Sequence, residues 1–236
     1  MKLIQILCFA FLLSLPLAAG ERIRTVLFPF REAVISARVD SVLHNFAFRI
    51  GQPFKSGDVI ATLVDERFLL EFQRASEKHK FDQASFEDQQ RLKERNLTSE
   101  YLLKKAEFER NMSAVILREA QLNLSYCRIT APFDGKVVEI LTREHETVRP
   151  GQPVCRIIDD NTLLAVMNVP MHDRNLTTVG RTLRIKLDSG QIISGEIYEV
   201  SPQADHRTGT VRIKVRIDNR NGALTAGATG ELYDGE

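Results

Sequence analysis

Chemistry needs side chains that ionise, attack or ligate, and in this chain those residues are dispersed. The five histidines stand at positions 44, 79, 145, 172 and 206, without the close spacing that brings two imidazoles onto one metal ion. No nucleophile, base and orienting partner share a recognisable motif, and no glycine-rich phosphate loop follows a strand. The residues therefore predict no catalytic group, no metal and no bound cofactor. Cys127 and Cys155 fall at strand positions suited to a small apolar side chain, so two buried thiols and, in an exported protein, a disulfide both remain open.

The elements that position these residues are organised by an internal repeat. Ser41-Val42-Leu43 through Phe54-Lys55-Ser56-Gly57-Asp58-Val59-Ile60 to Asp65 recurs as Gly135-Lys136-Val137 through Val148-Arg149-Pro150-Gly151-Gln152-Pro153-Val154 to Asp159. Asp40 falls on Asp134, Gly57 on Gly151 and Asp65 on Asp159 under one constant offset. A single small β unit is thus cut in two, and whatever lies between the halves projects from it.

The insert, 66–125, has no glycine or proline and is rich in good helix formers. Its one interruption is Asn96-Leu97-Thr98-Ser99: Asn96 suits a left-handed helix end, and Thr98 or Ser99 a cap for a second helix. Phe68, Phe72, Ala75, His79, Asp82 and Phe86 alternate spacings of four and three, as do Leu103, Ala106, Arg110, Ser113, Leu117, Ala120 and Leu124. This predicts an antiparallel coiled-coil hairpin about 42 Å long, apolar near the body and polar toward the turn. Its polar end fits either a solvated face or a surface that packs on another protein's helices.

From 161 onward, short alternating strands follow one another: 163–169, 182–187, 192–200 and 210–217, punctuated by Pro170, Asp188-Ser189-Gly190, Ser201-Pro202 and Asn219-Arg220-Asn221-Gly222. This pattern predicts a small antiparallel β-barrel over 161–236. At the start, Lys2, an apolar run and Ala18-Ala19-Gly20 predict a signal peptide over 1–20, cleaved before Glu21, with 21–33 as a linker or edge strand. The apolar run is short for a membrane span, and an uncleaved amino-terminal anchor is the alternative. A formal net charge of +1 gives no concentrated basic face, which argues against a nucleic-acid partner.

The half-motifs at 34–65 and 126–160 resemble the halves of a biotinyl/lipoyl carrier fold, although no lysine stands between Asp65 and Glu66 to carry a modification. A lipoyl-like barrel-sandwich hybrid, interrupted by a helical hairpin and followed by a β-barrel, resembles the HlyD-type periplasmic adaptors, also called membrane fusion proteins. Arg128-Ile129-Thr130-Ala131-Pro132-Phe133-Asp134-Gly135 and Thr208-Gly209-Thr210-Val211-Arg212-Ile213-Lys214-Val215 carry the local likeness. The resemblance implies a mainly β protein with an α-helical hairpin, without enzymatic activity, periplasmic and associated with the inner membrane. It would bridge an inner-membrane pump and a TolC-like outer-membrane channel as one subunit of a ring, commonly a hexamer.

On this resemblance the pump is of the resistance-nodulation-division (RND) type. The alternatives are an ABC-type pump, or a structural protein that self-associates through its hairpin. Adaptors of TolC-like channels carry an arginine, a leucine one turn later and a serine beyond the turn. Arg91 and Ser99 fit; Arg95 stands at the leucine position, with Leu97 as the leucine in a shortened turn. The barrel has Ala226-Gly227-Ala228 in place of the usual Pro-Gly-Met, and Gly209 in place of a common arginine. The stop at Glu236 implies a reduced or missing membrane-proximal domain, with fragments around Arg24–Phe30.

Overall fold

A computed structural model describes residues 23–173 and 175–233; the predicted signal peptide and its cleavage site lie outside them. In chain order the elements are β1 (Arg24–Ser36), β2 (Ser41–Phe46), β3 (Pro53–Phe54), β4 (Val59–Leu63), α1 (Glu66–Glu94), α2 (Glu100–Ser125), β5 (Arg128–Thr130), β6 (Gly135–Ile140), β7 (Thr147–Val148), β8 (Pro153–Pro170), β9 (Thr182–Leu187), β10 (Ile192–Asp205), β11 (Thr210–Asp218) and β12 (Thr229–Leu232). The chain is mostly β with two helices. It divides into two compact units, one built on Ala165–Ile217 with residues 23–27 and 227–233, the other on Phe28–Leu164 with Asp218–Ala226.

In the first unit the strands follow the order β1-β12-β9-β10-β11-β8. Alternation decides which side chains go inside: Leu183, Ile185 and Leu187 of β9 and Val211, Ile213, Val215 and Ile217 of β11 are buried while their neighbours face outward. Buried Thr25 of β1 donates its hydroxyl to the Val166 carbonyl of β8 at 3.0 Å, drawing the two ends of the strand order together. Residues 192–205 form one strand, longer than the run ending at 200, with a register shift between Val200 and Ala204. Pro202 lies in that irregular stretch, as a residue without a backbone donor must.

The second unit realises the sequence repeat strand for strand. β2, β3 and β4 recur as β6, β7 and β8, and the end of β1 recurs as β5, all at the same offset. Pairing follows suit. Leu43 faces Leu63 as Val137 faces Ile157, and Ser41 faces Val148 as Gly135 faces Phe54. Two buried clusters result. One contains Leu43, Ala61, Leu63, Val148 and Val154, together with Cys127; the other contains the mates of the first five, Val137, Cys155, Ile157, Phe54 and Ile60. Equal spacing of apolar residues in the two halves produces equal registers, because a slip of one residue would turn each buried side chain outward.

The repeat also explains the cysteines. Cys155 occupies the place that Ala61 fills in the other half, and Cys127 the place of Ala33, so a small apolar side chain recurs at both positions. Both thiols are free and buried, in different clusters, and burial raises each to a pKa of about 11. A disulfide is not formed.

Four turns repeat as well. Gly57 and Gly151 adopt φ of 89° and 85°, and Gly51 adopts 82°. In each of these turns the residue two before glycine receives a side-chain cap on its N–H: Lys55 from Asp58 (2.7 Å), Arg149 from Gln152 (3.2 Å) and Arg49 from Gln52 (2.7 Å). In the fourth, Glu146 caps Arg143 at 3.0 Å, and His145 takes the left-handed position at φ 69° where its mate is Gly51. His145 is thus a turn residue.

Between the halves, α1 leaves after Asp65 and α2 returns to Tyr126. The two chain ends meet at β4, where Leu63 N–H donates to the Cys127 carbonyl at 2.8 Å. Asp218–Ala226, within the 161–236 stretch, groups with this unit. Buried Asn219 bonds the Asp160 carbonyl at 2.8 Å and both backbone groups of Leu224.

A candidate docking tip on the helical hairpin

The hairpin seam is formed by the residues that the alternating spacing selects. Phe68, Ala75 and Asp82 of α1 and Ala106, Ser113 and Ala120 of α2 are buried. Small side chains on α2 let the helices approach closely, leaving room for larger ones from α1. Burying Phe68 alone contributes roughly 1.5–3 kcal/mol.

Midway along the arm the seam turns polar. Lys78 Nζ donates to both carboxylate oxygens of Asp82 (2.5 and 2.7 Å), and His79 Nδ1 lies 3.1 Å from Ser113 Oγ, which donates to the Arg110 carbonyl at 2.9 Å. The lysine hydrogen bond, with help from Ser113 and His79, holds the Asp82 carboxyl below its ordinary pKa despite burial. Arg110 in turn stacks on Phe86, its guanidinium carbon 4.2 Å from the ring centroid. A polar layer of this kind satisfies its donors in only one alignment of the two helices, so it opposes sliding. His79 is accordingly a seam residue packed against its neighbours.

At the far end α1 stops in a Schellman motif. Asn96 adopts φ 57°, its N–H donates to the Lys93 carbonyl at 2.9 Å, and Leu97 N–H donates to the Leu92 carbonyl at 2.8 Å. Between the two capping positions that the sequence offered, Ser99 starts α2, accepting from Leu102 N–H at 3.2 Å. The hydroxyl of Thr98 instead reaches Gln89 Oε1 at 2.7 Å. Lys93 bridges the turn to Glu100 at 3.2 Å, and this contact, with Lys104, lowers the Glu100 pKa.

The four residues predicted for the tip occupy one short stretch. Arg91, ion-paired with Asp88, lies in the last turn of α1; Arg95 closes that helix; Leu97 follows the left-handed residue; Ser99 caps α2. Ser99 has a structural task in addition to any contact. The tip differs from the polar end expected from the sequence: Leu97 and Tyr101 are 68% and 74% exposed, with Leu92 and Leu102 beside them in the chain also exposed. The seam spacing leaves these four out, and their only sequence signal is that apolar residues stand off the seam next to a turn.

Among the described residues no group of three or more potential ligands could hold a metal ion, and no helix is long and apolar enough to cross a membrane. With this geometry in place, residues 165–233 match an RND-group β-barrel model described as a CusB-like β-barrel domain. A solved MacA–MexA chimera containing the Pseudomonas aeruginosa MexA α-hairpin domain superposes with a TM-score of 0.78 at 18% identity, covering 91% of this chain and 82% of the chimera. Solved membrane fusion proteins and periplasmic adaptors share the arrangement. The fold is that of the periplasmic adaptors.

Sequence relatives match over most of this chain. The nodulation protein NolF of Rhizobium meliloti is 26% identical over 231 residues, covering 89% of this chain and 62% of its own. The multidrug resistance protein MdtA of Klebsiella pneumoniae is 25% identical over 214 residues, covering 80% of this chain and 52% of its own. The chain thus spans between half and two thirds of the length of these relatives.

Proposed function

We propose that this protein is a non-enzymatic periplasmic adaptor of the HlyD type, joining an inner-membrane transporter to an outer-membrane channel in efflux. The observation that carries this reading is the combination of a CusB-like barrel at 165–233 with a two-helix arm inserted between the halves of a repeated β unit. The β unit serves as a lipoyl-like barrel-sandwich hybrid over 34–65 and 126–160, with the arm at 66–125 and the barrel at 161–236. The transporter is of the RND type, which the matched barrel family supports. The protein is exported by a signal peptide cleaved before Glu21, works beside the inner membrane, and assembles as a ring, a hexamer on the family pattern.

The tip meets a TolC-like channel through Arg91, Arg95, Leu97 and Ser99. Exposure supports this role: the arm ends in uncovered apolar side chains flanked by two arginines, a surface that water alone does not favour. The test is Arg91→Glu, with helicity verified by circular dichroism. The expected result is loss of cross-linking to the channel and an efflux defect of at least tenfold. Unchanged efflux would overturn channel docking through this tip.

A further inference from the structure

At the foot of the arm a groove of about 1510 Å³ opens between β1, β5 and the two helices. Its floor is built from repeat mates: under the constant offset, Val34, Ser36 and Arg38 fall on Arg128, Thr130 and Pro132. Alternation turns these six outward, because Ala37 and Ile129 between them are buried in the β unit.

The two stretches run in opposite directions. Ala33 packs on the cluster that holds Ala131 and Phe133, whereas Ala37 belongs to the cluster that holds Cys127 and Ile129. Arg38 and Arg128 therefore come to the same end of the floor, the end from which the helices leave. The guanidinium carbon of Arg38 accordingly lies 5.1 Å from the ring centroid of Tyr126. That stacking uses the face of the guanidinium and leaves its N–H edge available. Among the described residues neither arginine side chain has an ion pair or a hydrogen bond. Against the two arginines the lining sets one carboxylate, Asp65, an excess of one positive charge. Beside them the helices contribute Leu69 and Leu122, 42% and 49% exposed.

We infer that this groove binds a free long-chain carboxylate, its head between Arg38 and Arg128 and its tail along Leu69, Leu122 and the Tyr126 ring. A monoanion matches the charge excess, and a planar guanidinium pairs well with a carboxylate. A wholly polar anion would leave the leucines in water, and a neutral hydrocarbon would leave the arginines without a partner. A second copy laid floor to floor would set arginine against arginine. The site goes beyond the adaptor reading and needs neither pump nor channel to be tested.

The test is titration calorimetry of the full chain with laurate below its micelle concentration. One saturable site per chain is expected, with dodecanol and dodecyltrimethylammonium each at least about tenfold weaker than laurate and octanoate weaker by about tenfold for its lost methylenes. Arg38→Gln and Arg128→Gln should each weaken laurate at least about fivefold while leaving dodecanol nearly unchanged; Leu122→Ser should weaken both ligands. Urea midpoints equal to that of the parent chain check that the variants are folded, and Arg128→Lys, which keeps the charge, should bind laurate better than Arg128→Gln. Absence of saturable binding, equal affinity for laurate and dodecyltrimethylammonium, or laurate affinity unmoved in both folded glutamine variants would each overturn the site. Cosedimentation with phosphatidylglycerol vesicles that is lost in the glutamine variants, without binding of monomeric laurate, would assign the arginines to a lipid surface and overturn it as well.

Discussion

At the scale of single residues, the two unusual histidines are explained by backbone and seam. His145 holds the left-handed conformation that Gly51 adopts in the other half of the repeat, at a cost of about 1 kcal/mol for a residue with a Cβ. His145→Gly is therefore expected to raise stability by about that amount, read as an upward shift of the urea midpoint at unchanged slope. The polar layer gives a pH prediction. The Asp82 pKa is depressed in the folded arm, so its contribution is present above the unfolded value of about 3.9 and is lost as pH falls through the lower folded value. Asp82→Asn should cost roughly 1–2 kcal/mol at neutral pH. The gap from the wild type should close as pH falls below the ordinary carboxylate range, measured by helicity during urea melts at each pH. A gap that persists in acid would assign the loss to shape rather than charge.

At the scale of elements, the hairpin is an insertion between two strands that already meet. Leu63 and Cys127 are hydrogen-bonded neighbours, and apart from Phe68 and the partly buried Leu124 the cluster around them is drawn from the β unit and its turns. Replacing 66–125 by a short glycine-serine linker is expected to leave a folded β unit, because loop closure over such a gap costs little. Proton spectra with dispersed amide and methyl signals would show it, and collapsed dispersion would mean that the arm is needed for folding. The legibility of these elements followed from period. The heptads of 66–125 and the alternation of β9 and β11 were readable because each buries a single face. The two-residue strands β3 and β7 are too short for any period, and became visible only as repeat mates that pair with β6 and β2. Residues 21–33 likewise read as a linker or edge strand, and from Arg24 onward they lie in one long strand, Arg24–Ser36.

At the scale of the whole molecule, the proposed tip sets exposed leucine and tyrosine beside arginine. Salt distinguishes the two kinds of contact. Raising the ionic strength from 0.1 M to 1 M shortens the screening length from about 10 Å to about 3 Å, so cross-linking of the tip to the channel should fall several-fold where Arg91 and Arg95 carry the contact. Cross-linking unchanged by salt would remove the two arginines from the docking surface.

Local period and self-similarity were legible without coordinates. The split repeat, the two helices with their turn at Asn96 and a cap at Thr98 or Ser99, and the alternating strands of the barrel are all written in spacing, because burial of one face imposes it. Packing in three dimensions was needed to establish how the halves exchange strands, that Cys127 and Cys155 lie in separate cores, and which charges of the arm find partners within the chain. It was needed also to expose the apolar side chains of the tip. A seam residue and an exposed one have the same chemistry in a sequence, and only the packing of α1 on α2 tells them apart.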